Sequence, residues 1–144
     1  MTMTLTAALA RHDITVADDM LADIEVPVLT GPQRQGDVGI FPRSPLGRAE
    51  LAGFVPVGRD GLAVVRGEAG GNTHLLDAVQ GVVLWKANPS AGATDLTLGI
   101  LHVEDGAIAH LLHTDEHGAN GIGPGTYRVT GKREQADEIR RVAD

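Results

Sequence analysis

From residue 31 onward the apolar positions fall in short runs separated by glycine, and glycine supplies 19 of the 144 residues. Residues 35–41, 54–59, 62–66, 82–86, 96–104, 107–113 and 126–130 show period-two alternation or compact apolar runs bounded by Gly, Pro, Asn or Asp, which predicts strands. Two Asp-Gly pairs fall between such runs, Asp60-Gly61 and Asp105-Gly106. Each suits a two-residue type I′ hairpin, whose central positions both need positive φ. A hairpin tipped by Asp105-Gly106 sets Val103 opposite Ile108 and Leu101 opposite His110. It also places His102 and His113 on one face, about 13 Å apart.

The first thirty residues break this pattern. Thr15-Val16-Ala17-Asp18 approximates a capping box ahead of Met20, Leu21 and Ile24 at helical spacing, which predicts a short helix over residues 15–24. Val26-Pro27-Val28-Leu29 reads as extended, since proline removes a ladder donor and restricts the residue before it. Ala136, Ile139 and Val142 predict a second helix over residues 134–142. The fold expectation is therefore mainly β, a small Greek-key barrel or sandwich over residues 31–144 as a single β-rich domain. An acidic arm, residues 1–30, precedes it, and a short C-terminal helix closes it.

Charge narrows the function classes. Twelve Lys and Arg against nineteen Asp and Glu give −7, the wrong sign for a phosphate-backbone binder, and only four aromatic residues are available for base stacking. Residues 1–30 carry −4 of that total. With no cysteine there is no disulfide framework, thiol nucleophile or Cys-based zinc site. No basic-then-apolar leader and no 18-residue apolar run is present, so the expectation is a non-secreted chain, cytoplasmic or in a virion, that avoids membranes and nucleic acid.

Candidate chemistry rests on the histidines, four of which (His102, His110, His113 and His117) fall within sixteen residues. His113 and His117 would share a helix face at about 6 Å, where Glu116 could serve as a base beside a divalent metal. In a straight strand they would stand about 13 Å apart. A bend at the following glycines would instead turn Glu116 and His117 toward His74. Buried or edge histidines with ordinary partners are the blander account, and it is favoured. No Gly-x-Ser-x-Gly elbow or phosphate-binding glycine motif is present.

Several motifs taken in order carry a resemblance. They are Gln35-Gly36-Asp37-Val38, Gly67-Glu68, Gly71-Asn72-Thr73-His74, His113 through Glu116-His117, Pro124-Gly125-Thr126-Tyr127-Arg128-Val129 and Arg133-Glu134. Residues 33–144 resemble a group of small, functionally uncharacterised bacterial and phage proteins that run Gln-Gly-Asp-Val, Gly-His-x-His, Glu-His and Pro-Gly-x-Tyr-x-Val. Here Asn72 stands at the first histidine of Gly-His-x-His, so any metal site formed by the group's histidines would lack one ligand in this chain.

Two functions follow as expectations. The favoured one is a non-enzymatic structural or protein-binding β module, self-associating or docked on a larger assembly such as a phage virion, as a minor capsid or decoration protein. It needs no cofactor, and Met20, Leu21 and Ile24 are its candidate partner contacts. The alternative is a metal-dependent, cupin-like enzyme using His74, His113, Glu116 and His117.

Overall fold

A computed structural model describes residues 3–12, 25–65, 73–92, 94–114 and 118–132. The chain is mainly β. A six-stranded sheet runs β4 (Gln33–Gln35), β5 (Val38–Arg43), β13 (Gly125–Thr130), β10 (Thr97–Val103), β9 (Val83–Ala87), β6 (Val55–Pro56). A five-stranded sheet runs β3 (Val28–Leu29), β12 (Gly118–Ile122), β11 (Ile108–His113), β8 (His74–Gln80), β7 (Leu62–Val65). The short β1 (Met3–Thr4) and β2 (Glu25–Val26) pair with each other. The two larger sheets are open, not closed into a barrel, and pack as a sandwich. Between them Val38, Ile40, Trp85, Leu101 and Tyr127 from one sheet meet Leu76, Ala109, Leu111 and Ile122 from the other. Full burial of side chains of this size stabilises by about 1.5–3 kcal/mol each.

The expected strands form, but the expected hairpins do not. Leu101 of β10 pairs with Trp85 and with Tyr127, whereas β11 pairs with β8 and β12 in the other sheet. Val103 thus lies opposite Val83 and Gly125, not Ile108, and His102 and His113 belong to different sheets. Asp60-Gly61 likewise joins β6, which pairs with β9, to β7, which pairs with β8. Both Asp-Gly pairs therefore turn the chain from one sheet into the other. Gly61 and Gly106 adopt φ of 76° and 78°, and Ala107 N–H closes the second turn on the Glu104 carbonyl at 2.9 Å. Burial supplies the reason: all six residues of β11 are buried, so it is a central strand covered on both faces. A simple hairpin continuing β10 would have left one of those faces wet. The two-residue hairpin that does form joins β4 and β5 through Gly36-Asp37, with Gln35 opposite Val38.

β5 also continues through Pro42 and Arg43, past its expected end. β4 pairs no further along β5 than Ile40, so Pro42 lies where one edge is open and its missing donor costs no ladder bond.

The boundary expected near residue 31 is also corrected. α1 (Leu5–Ala10) starts at Thr4, whose Oγ1 accepts from Ala7 N–H at 3.2 Å. Leu5 and Leu9 share a face one turn apart. Ala8 and Leu9 are fully buried against Val26 and Leu112, with Leu75 and Ala119 beside them. β3 adds a parallel strand to β12. Residues 3–12 and 25–26 thus cover the outer face of the five-stranded sheet and residues 28–29 extend its edge, instead of forming a separate arm. The helix expected over residues 15–24, with Met20, Leu21 and Ile24, and that over residues 134–142 lie outside the described residues. No described helix is long and apolar enough to cross a membrane.

Candidate functional site

Polar groups gather at three places, one inside the sandwich and one on each outer face. The interior group lies at the β4–β5 turn. His74 of β8 and His113 of β11 are directly paired across neighbouring strands and point inward. Their rings stack with centroids 4.2 Å apart and planes 13° from parallel. Gln35 reaches them from the other sheet. Its Nε2 donates to the Leu111 carbonyl at 2.6 Å and to Asn120 Oδ1 at 3.1 Å, which leaves Oε1 as the atom 2.9 Å from His74 Nδ1. That network assigns the proton of His74 to Nδ1 and the lone pair to Nε2. Asn120 in turn donates to Gln33 Oε1 and the Arg34 carbonyl, and Gln33 donates to the Gly121 carbonyl. These amides clasp the two sheets together at one edge.

Burial pushes the His74 imidazole down to about 4, with His113 adding to the fall and Asp37 opposing it. His74 is therefore neutral at ordinary pH, as metal ligation would require. The ring geometry is less suitable. A metal sits in the plane of each imidazole that ligates it, and two nearly parallel planes a ring-stacking distance apart do not share one ion. As placed, the rings make a packed pair, and ligation would need one to rotate. No group of three or more potential ligands is found among the described residues. Of the four sequence candidates, His74 and His113 come together, while Glu116 and His117 lie outside the described residues.

The second group was not legible as a site in the sequence. On the outer face of the five-stranded sheet Asp77 is fully buried beneath the end of α1, held by Arg11 Nε at 2.7 Å and Arg11 Nη2 at 3.3 Å. His12 Nε2 lies 3.2 Å from the same carboxylate, at an angle outside hydrogen-bond geometry. Burial raises the Asp77 carboxyl, but the partners Arg11 and His12 outweigh it and hold it below the usual carboxylate range. His110 pairs with Asp77 across the strands, and its Nδ1 has no hydrogen-bond partner among the described residues. Burial lowers its pKa, against the pull of Asp77. The only forewarning was Leu5 and Leu9 one turn apart behind a capping threonine. With α1 seen, Arg11 and His12 fall at its end, over the sheet.

The third group is open. The outer face of the six-stranded sheet carries two adjoining depressions of about 580 and 710 Å³ that share Arg128. Phe41 lies between two guanidinium groups, Arg34 at 5.6 Å and Arg128 at 5.8 Å from its ring centre. Arg43 and Lys86 extend the positive charge to either side, and the register places Phe41, Arg128, Ile100 and Lys86 in one row across four strands. Among the described residues no carboxylate forms a salt bridge with these four cations. The nearby Asp95 is engaged by the Thr97 N–H and by Asn88. His102 sits on this same sheet, with Nδ1 2.9 Å from Thr126 Oγ1.

Residues 34–132 match a protein family described as a domain of unknown function, DUF8820. The chain belongs to that family. The matched region contains both sheets of the sandwich except β3 and the first residue of β4, and it excludes α1. Comparison with curated proteins and with solved structures found no match.

Proposed function

We propose that this member of the DUF8820 family is a non-enzymatic β-sandwich module whose work is protein binding, by association with its own copies or by docking on a larger assembly. One observation carries the reading. The polar residues of the interior and of the five-stranded sheet are closed off, with His74 and His110 each 1% exposed and Asp77 fully buried. Among the described residues an accessible sheet face carries cations around an aromatic ring, which suits a protein surface better than a small substrate held in a concave apolar pocket. The resemblance to phage proteins suggests a virion as the setting, with this chain as a minor capsid or decoration component. Its presence in purified particles at a constant ratio to the shell protein would support that setting.

The test of the broader reading is the solution mass of the purified chain over a wide concentration range. Reversible growth in mass supports association with its own copies. A monomer at every concentration leaves only docking on a different partner.

A second reading, a metal-dependent cupin-like enzyme, has the meeting of His74 and His113 in its favour, together with the hydrogen bond that orients His74 Nε2 as a lone-pair donor. Titration with zinc or manganese separates the two. One tightly bound ion per chain, lost in both H74A and H113A, would favour the enzyme reading.

A further inference from the structure

We infer that the cationic outer face of the six-stranded sheet receives the acidic segment formed by residues 13–24 of a second copy. The inference rests on the self-association reading and names its two surfaces.

Charge complementarity selects the occupant. An acidic chain of net charge −7 gathers Arg34, Arg43, Lys86 and Arg128 around two joined depressions, alongside Lys132, which pairs with Asp37, and the carboxylates Glu50 and Asp95. Residues 13–24 carry Asp13, Asp18, Asp19 and Asp23 with no Lys or Arg, and intersperse Met20, Leu21 and Ile24. The face offers matching apolar ground between its cations, with Phe41 and Ile100 half-buried and Leu96 42% exposed.

Attachment points to a neighbouring copy. The segment joins the described chain at His12 and Glu25. His12 contacts Asp77 on the outer side of the five-stranded sheet, and Glu25 belongs to β2, whose Val26 packs there. The cationic face looks the opposite way, beyond both sheets. Stacked sheets are about 10 Å apart before side chains are added on either side. A twelve-residue segment tied at both ends extends only about 20 Å from its anchors at roughly 3.4 Å per residue. To meet its own chain's cationic face the segment would have to round a sheet edge, whereas a neighbour's face can be brought to it by association.

Each copy then uses two different surfaces, one giving and one receiving. Such a head-to-tail contact closes into a ring if the rotation permits and otherwise continues as a filament.

Sedimentation velocity of the full chain tests this with two charge-reversed variants, R34E/R128E and D18R/D19R. Arg34 and Arg128 lie outside the apolar core, and circular dichroism checks that both variants fold. The expected result is that the wild-type chain associates at low salt and loses mass as salt rises, because exposed charges are screened within about 10 Å at 0.1 M. Each variant alone should have its dissociation constant raised at least about tenfold, since the attraction between segment and face is reversed in one and removed in the other. Mixed together they should associate again, because the acidic segment of one meets the unaltered basic face of the other. If the wild-type chain associates and the variants do so equally well, this pairing of surfaces is overturned while the self-association reading stands. If the wild-type chain is monomeric at every salt and protein concentration, both fail. Association that strengthens with salt would also overturn the inference, since charge would not be driving it. If charge reversal impairs folding, R34Q/R128Q replaces it, with the same expectation at reduced size.

Discussion

The two outer faces of the sandwich have opposite fates. That of the five-stranded sheet is roofed by α1 and β2, so Leu112 is fully buried and an aspartate survives there only because Arg11 and His12 meet it. That of the six-stranded sheet is only partly covered: the connection from β5 to β6, with its short helix Arg48–Leu51, lines one side of a depression through Leu46, Glu50 and Phe54, while Phe41 is flanked by arginines that face solvent. A sheet whose outer residues are Leu75, Asp77, His110 and Leu112 must be covered to be stable. A sheet whose outer residues are Phe41, Arg43, Arg128 and Lys86 can stand in water and still offer a surface to a partner. The first face is therefore part of the fold, and the second leaves its cations exposed.

The largest way to break this contrast is to remove the roof. Leu9→Ala deletes a fully buried side chain and should cost about 2–5 kcal/mol in chemical denaturation, the usual range for such cavities. Deleting residues 1–30 exposes Leu112, Leu75 and the Asp77 carboxylate together. That chain should fail to fold cooperatively, whereas an independent arm could be removed with little effect.

Acid should weaken the same molecule in a defined window. His74 and His110 have lowered folded values, so the unfolded chain, with imidazoles near 6.5, takes up more protons. Stability is thus fully present above roughly pH 6.5 and declines as pH falls toward 4. Asp77, also lowered, adds a loss that begins near the unfolded carboxylate value and continues below it. Urea unfolding at a series of pH values should show this slope, and His74→Gln should flatten its upper part.

The sheet-switching turns give a smaller effect with an internal control. Gly61 and Gly106 share a left-handed backbone, but a Cβ on Gly61 would meet the Leu76 carbonyl at 2.8 Å while one on Gly106 meets nothing within 4 Å. Gly106→Ala should therefore cost about 1–2 kcal/mol, from the backbone alone. Gly61→Ala should cost measurably more, and equal losses would show that crowding against β8 is unimportant.

Most strand positions were legible because alternation and glycine spacing are local signals, but β8 and β12 were not, the first following a glycine-rich loop and the second itself holding glycines. Partners were not, because an Asp-Gly turn between two apolar runs has the same local form whether it closes a hairpin or passes the chain to a second sheet. The choice was made by the continuous burial of Ile108 through His113, and a fully buried strand differs little in sequence from one edge of a hairpin. The histidines show the same limit. His74 was a sensible candidate, but its companions were sought around Glu116 and His117 through a bend, and the described neighbours are His113 and Gln35. Gln35, an ordinary polar residue before a turn, carried no sign that it spans the sheets. The roofing role of α1 was missed because residues 1–10, three of them alanine, hold only a narrow apolar stripe, whose meaning depends on the sheet beneath it.

The smallest effect on stability should come from the open face. Arg34→Ala and Arg128→Ala should each change unfolding free energy by less than about 0.5 kcal/mol, as exposed substitutions usually do. A loss comparable to that of Leu9→Ala would mean that the face helps hold the fold.

Hydroxyl-radical footprinting of the intact chain, read residue by residue at low and high protein concentration, tests the contrast most directly. Leu9, Leu112 and His110 should be protected at every concentration, while Phe41, Leu96 and Ile100 should be labelled in dilute solution and become protected as the chain associates. Labelling of Leu9 and Leu112 as fast as Phe41, or unchanged labelling of Phe41 while the mass increases, would contradict the account.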